Sequence, residues 1–208
     1  MLVVPERLAA DLRDRLGLGR AIETGTYRGR SARILAGLFP QVVTIEVDAA
    51  LVAAASRALS GLPNVTVVHG SSGVELTRLV DPDTRTLYWL DGHFSGGVTG
   101  GGEAECPLLD ELAAIAGGHP EDCVLIDDAR LFLAPPPPPY SEEAWPRFRT
   151  VEDALLAANP RRRVIVAHDT IVAVPERAAD LARAFAASRP PVVGPVMWKL
   201  RDRLLVRP

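Results

Sequence analysis

Glu23-Thr24-Gly25-Thr26-Tyr27-Arg28-Gly29-Arg30-Ser31 joins a short apolar run to a helix-prone stretch through a turn with two glycines. Gly25 can take positive φ without steric cost, and Gly29 lets a helix backbone sit close to a strand or a ligand. A helix opening near Gly29 presents unpaired N–H groups to an anionic group above the turn. Glu46 lies 46 − 23 = 23 positions after Glu23, near the spacing of about 20 at which an acid meets ribose hydroxyls. Its carboxylate can accept from both hydroxyls at once. Asp48 is the competitor for that role, or else caps the helix that follows. Asp91 closes one apolar run, and Asp127-Asp128 close another. If those runs are neighbouring strands, three carboxylates converge and repel one another unless a cation lies among them. A hard cation with oxygen ligands and several retained waters, such as Mg²⁺, suits Asp91, Asp127 and Asp128. His93, two residues past Asp91, has the chemistry of a general base. The plainer reading is a histidine bonded to a loop carbonyl, with the aspartates acting as caps or strand ends.

The elements that must position these residues alternate along the chain. Leu8, Leu12 and Leu16 recur every fourth residue, which predicts an amphipathic helix over 6–16. A strand runs to Glu23, and a helix covers 29–38 before Phe39-Pro40. Val42 to Val47 reads as a buried strand, with an Ala-rich helix over 49–60. Val65 to His69 is a strand, followed by a helix after Ser72 in which Ser72-Gly73-Val74-Glu75 fits a capping box. Thr86 to Asp91 is the fourth strand, and Leu108, Leu109, Leu112 and Ile115 mark the helix after it. Cys123 to Asp127 is the fifth. Strands alternating with helices give a parallel sheet with right-handed crossovers. Arg163–Ala167 and Thr170–Val174 are separated only by His168-Asp169, so they must pair antiparallel. The expected fold is α/β, a mostly parallel sheet closed by an antiparallel C-terminal hairpin.

Composition narrows the class. A chain of 208 residues with 48% hydrophobic and 24% charged residues suits one α/β domain with a sizeable core. The net charge of −3 argues against a non-specific nucleic-acid partner. Arg161-Arg162-Arg163 reads as a solvated strand entrance. Two cysteines, Cys106 and Cys123, give no disulfide framework, and Cys123 is expected to pack in its strand. No long apolar run or leader pattern is present, so the expectation is a cytoplasmic protein without a membrane partner. Pro135 to Pro139 forms a stiff extended loop, after which Tyr140, Trp145 and Phe148 wall a pocket or pack in the core. Ser95 to Glu103, rich in glycine, either closes over substrate or is a flexible loop. Arg130 either anchors a substrate anion or pairs with the acids.

The turn after Glu23 resembles motif I of class I S-adenosylmethionine (SAM)-dependent methyltransferases, with Tyr27 in place of the middle glycine. The segments Glu-Thr-Gly-Thr-Tyr, Leu-Asp-Gly-His, Ser-Gly-Gly and Ile-Asp-Asp-Ala-Arg-Leu-Phe, spanning about 20–133, resemble a family of bacterial SAM-dependent methyltransferases. The resemblance implies a Rossmann-like fold with a seven-stranded sheet in a single domain, 1–208. That domain divides into an N-terminal helix (1–19), a cofactor and metal half (20–133), and a proline-rich loop, hairpin and C-terminal helix (134–208). It implies SAM contacts from Glu23, Gly25, Thr26, Tyr27, Ser31, Glu46, Ser72 and Asp91. Tyr27, Arg28 and Ser31 would line the methionine end, and Ser72 the adenine, as in similar Gly-x-Ser segments of small-molecule O-methyltransferases. Catechol and macrocin-type O-methyltransferases hold their metal with acids or amides after strands 4 and 5, which implies Mg²⁺ on Asp91, Asp127 and Asp128. The expected activity is O-methylation of a small-molecule hydroxyl in bacterial secondary metabolism, with His93 and Asp91 catalytic, and room for a homodimer. The rivals are a metal-free N- or carboxyl-methyltransferase and a SAM- or nucleotide-binding module without catalysis.

Overall fold

The computed structural model describes residues 3–93, 105–138 and 140–188. Leu8, Leu12 and Leu16 are all buried, so the four-residue spacing builds α1 (Glu6–Leu16) with its apolar stripe inward. Alternating strands and helices follow: β1 (Arg20–Thr24), α2 (Arg30–Leu38), β2 (Gln41–Glu46), α3 (Ala49–Leu59), β3 (Val65–His69) and α4 (Ser72–Leu79). The second half comprises β4 (Thr86–Leu90), α5 (Leu108–Ile115), β5 (Cys123–Ile126), α6 (Arg130–Leu133), α7 (Phe148–Ala158), β6 (Arg162–Ala167), β7 (Thr170–Pro175) and α8 (Ala179–Ala187).

The seven strands lie in the order β3-β2-β1-β4-β5-β7-β6. The first five run parallel, and β7 pairs antiparallel with both β5 and β6. His168 and Asp169 both take positive φ, 51° and 66°, which makes the two-residue hairpin turn a mirror-image turn that matches strand twist. Strand order reverses between β1 and β4, so a crevice opens there at the carboxyl ends of the strands.

Alternate residues of the central strands feed two cores. Ile22, Tyr88, Leu90, Val124 and Ile126 pack with Leu108, Leu112, Val151 and Leu155 on one face. Ala21, Leu87, Trp89, Cys123 and Leu125 pack with Leu8, Leu12, Leu35 and Ala182 on the other. Both faces are therefore covered, as a parallel sheet requires. Cys123 is fully buried as expected. The arginine run is not wholly solvated. Arg162 is buried, and its Nε has no hydrogen-bond partner among the described residues. Its guanidinium lies in the field of Asp122, and burial lowers its pKa.

Candidate active site

The turn after β1 is shaped by the protein's own backbone. Gly25 has φ 78°, and a Cβ there would meet the Asp91 carbonyl oxygen at 2.1 Å. The glycine is thus demanded by the approach of β1 to the end of β4 as well as by its positive φ. Gly29, at φ 70°, precedes α2, and a Cβ there would meet the Leu59 side chain at 3.0 Å, so the glycine lets α2 approach α3. Tyr27 has φ 46°. It adopts the left-handed conformation that a glycine would supply at that place in the motif, which costs an L-residue roughly 1–2 kcal/mol.

Glu46 locks this turn. Its Oε2 accepts from Tyr27 N–H at 2.9 Å, and its Oε1 accepts from Val47 and Asp48 N–H at 3.0 and 3.1 Å. A carboxylate offers about four acceptor positions, so three backbone donors leave room for about one ligand hydroxyl, fewer than the two expected. Asp48 is the N-cap of α3, accepting from Ala50 and Leu51 N–H. Thr26 and Thr44 hydroxyls lie 2.6 Å apart, and Thr44 donates to Glu23 Oε2 at 2.6 Å. Glu23 is pushed up to about 8, first by burial and further by the charge of Glu46, with the Thr44 hydrogen bond opposing.

Two hydroxyls of the expected cofactor set have partners within the protein. Ser31 Oγ accepts from Val4 N–H at 3.2 Å, which ties α2 to the N-terminal segment. Ser72 is the first residue of α4, not its cap. Ser71 holds the cap position without a side-chain bond, so no capping box forms. Ser72 is buried and lowers the pKa of Glu111 by hydrogen bonding.

At the ends of β4 and β5, Asp91, His93, Asp127 and Asp128 come together, all buried. Asp128, at φ 53°, turns its Oδ2 to His93 Nε2 at 3.1 Å and its Oδ1 to Arg130 Nη1 at 2.6 Å. His93 Nε2 lies 3.8 Å from Asp91 Oδ1. The imidazole also packs edge-on against Trp145, with centroids 5.1 Å apart. Trp145 is itself packed on Phe132 and Tyr140 and belongs to the core. Its indole N–H donates to Glu105 Oε1 at 3.1 Å, and Glu105 also accepts from Ser141 N–H. The glycine-rich stretch Ser95 to Glu103 lies outside the described residues.

The acids divide electrostatically. Burial and the charges of Asp127, Asp128 and Glu23 raise Asp91 well above the usual carboxylate range. Burial, then Asp128, push Asp127 up to about 7, and neither of its oxygens has a hydrogen-bond partner among the described residues. Burial alone would raise Asp128 too, but the His93 and Arg130 contacts outweigh it and hold it well below. Asp128 therefore differs from Asp91 and Asp127 in being held by two cationic or donor side chains. Arg130 and His93 already compensate Asp128, and no group of three His, Cys, Asp or Glu among the described residues is arranged for a metal ion. One acid was missed from sequence. Glu111 of α5 is buried, its Oε1 has no hydrogen-bond partner among the described residues, and burial raises its pKa. It lies three residues after Leu108 and four before Ile115, which puts it on the apolar face and was the available signal.

The comparisons agree with this architecture. No protein-family model matches the chain, and no curated protein does. Among solved structures, the O-methyltransferase TomG of Streptomyces achromogenes, involved in tomaymycin synthesis and bound to SAM, has a TM-score of 0.61 at 19% identity. That likeness covers 84% of this chain and 82% of TomG. An O-methyltransferase of Bacillus cereus in complex with SAH has a TM-score of 0.58 at 18% identity, over 84% and 82% of the two chains. SAH-bound PaMTH1 of Podospora anserina has a TM-score of 0.55 at 19% identity, over 81% and 76%. These likenesses establish the fold: a Rossmann-like class I methyltransferase sheet with its antiparallel closing hairpin. No helix among the described residues is long and apolar enough to cross a membrane.

Proposed function

We propose that the protein is a SAM-dependent methyltransferase acting on a hydroxyl of a small molecule. One observation carries the reading. Glu23 of β1, Asp91 after β4, Asp127 after β5 and Glu111 of α5 are buried acids near the carboxyl ends of the central strands, every one raised by burial. Such a set of acids favours a cationic ligand, because an incoming positive charge relieves both desolvation and mutual repulsion. SAM, when bound, supplies an electrophilic methyl group on a cationic sulfonium. The acids would stabilise that charge and hold a neutral product less tightly. Glu46, Thr26 and Tyr27 would meet the ribose and methionine parts, and Ser72 the adenine side. The SAM- and SAH-bound neighbours of the same fold support this placement.

His93 would take the acceptor's proton, with Asp128 holding its ring and Asp91 beside it. Magnesium assistance is the second reading, because the Asp127 carboxylate is unpartnered among the described residues and Asp91 shares its field. The structure's own cation at Asp128 is Arg130, so the residues as arranged do not fit a three-aspartate metal site, and the base-catalysed reading stands first. An acceptor in secondary metabolism suits the open chemistry of a small-molecule hydroxyl.

The test is transfer of labelled methyl from SAM to a panel of sugar, nucleoside and polyphenol hydroxyls, with amines and carboxylic acids included. His93→Gln should lower turnover roughly 100-fold or more while leaving SAM affinity intact. EDTA should leave the wild-type rate unchanged. Methylation of amines or acids alone would select the rival acceptors, and a rate abolished by EDTA and restored by Mg²⁺ would select the metal reading. SAM binding with no turnover on any acceptor would leave only a binding module.

A further inference from the structure

The closing hairpin does more than terminate the sheet. Its turn residue Asp169 reaches the segment after β5 through three bonds. The Asp169 carbonyl accepts from Ala129 N–H at 2.9 Å, and its Oδ1 accepts from Arg130 N–H at 2.9 Å. Its Oδ2 pairs with Arg130 Nη1, the same nitrogen that donates to Asp128 Oδ1. Asp128 Oδ2 then meets His93 Nε2. The line of contact is therefore Asp169, Arg130, Asp128, His93, running from the hairpin tip to the candidate base. Asp128 sits in a left-handed conformation that is sparsely populated for a side chain, so something must hold it.

We propose that Asp169 and Arg130 are positioning residues that fix Asp128 and, through it, the tautomer and orientation of His93. The chemistry is specific. An ionised carboxylate only accepts hydrogen bonds, so the His93 nitrogen facing Asp128 must carry the proton. In neutral imidazole that assigns Nε2 as the donor and Nδ1 as the nitrogen without a proton. The role in catalysis rests on reading His93 as the base, whereas the tautomer assignment does not. Other charged groups near the imidazole, Asp91, Asp127 and Glu111, belong to β4, β5 and α5 and are common to all the variants below.

Nitrogen-15 spectra of labelled protein at about pH 8.5, where free imidazole is neutral, report the tautomer directly, with His93 assigned by its loss in His93→Gln. Wild type should show a nearly pure Nε2–H tautomer. Asp169→Ala and Arg130→Met should each move it toward a mixture, and the double variant should equal either single one. Asp169→Asn keeps an acceptor for Arg130 N–H and should lie between, which preserves the test if Asp169→Ala fails to fold. In parallel, kcat should fall on the order of tenfold, a part of the roughly 10²–10⁴-fold that a positioned base contributes, with KM for SAM unchanged. A folded variant with the wild-type tautomer overturns the proposal, whatever its activity. A shifted tautomer in a protein whose wild type transfers no methyl group upholds the positioning and overturns the methyltransferase reading instead.

Discussion

Replacing Glu23 by glutamine isolates one buried charge. Glu23 is raised from 4.5 to about 8 by burial and by Glu46, against the hydrogen bond from Thr44. A carboxyl whose folded pKa exceeds its unfolded value stabilises the fold fully below about 4.5, and that contribution is lost as pH rises toward 8. Over that window the unfolded chain releases the proton while the folded chain retains it. Each pH unit then costs the wild type about 1.4 kcal/mol. Glutamine has no such dependence and still presents an oxygen to Thr44. Between pH 6 and pH 9 the advantage of Glu23→Gln should therefore grow by about two pH units' worth, roughly 3 kcal/mol. For a chain of this size that is roughly 5–10 °C in Tm, at 2–4 °C per kcal/mol. Ligand-free melts of both proteins across that range measure it, and the contribution of Asp127 largely cancels in the difference. The same variant should bind SAM more weakly at pH 9, because it lacks a charge to meet the cation. Melting curves of the two proteins that stay parallel from pH 6 to pH 9 would refute the buried-charge reasoning.

Other substitutions read other parts of the site. Gly25→Ala should destabilise the protein by at least about 1–2 kcal/mol in denaturant titrations, since its Cβ meets the Asp91 carbonyl and its φ is positive. Tyr27→Gly should change stability by less than about 1 kcal/mol, because relief of left-handed strain offsets the added chain entropy, whereas Tyr27→Val should be clearly destabilising. Glu46→Ala should weaken SAM by about 1–3 kcal/mol in calorimetry and also lower Tm, since it releases three backbone donors of the turn. Asp127→Asn should raise the apo Tm above pH 7, because it removes a carboxylate lifted to about 7 by burial and Asp128.

Elements whose signal is local were legible in the sequence. The four-residue leucine spacing of α1, the Asp48 cap of α3 and the two-residue gap that forces the β6–β7 hairpin each depend on residues within a turn of one another. The gathering of Asp91, His93, Asp127 and Asp128 was also readable, because strand ends in this topology meet at the carboxyl edge. What was not legible was which side chain takes which partner. Ser31 bonds Val4, 27 residues away, and Arg130 bonds Asp169, 39 residues away. That long-range ion pair places a positive charge beside Asp128. Arg162 looked like part of a solvated run because burial of its strand against Asp122 is a tertiary fact.

Calorimetric titration of the purified protein with SAM, alongside SAH and NAD, tests the cofactor assignment most directly. A single saturable site for SAM is expected, weakened in Glu46→Ala, with NAD giving no heat of binding. Saturable binding of NAD with none of SAM or SAH would contradict the assignment of this turn and these buried acids to a methyl donor.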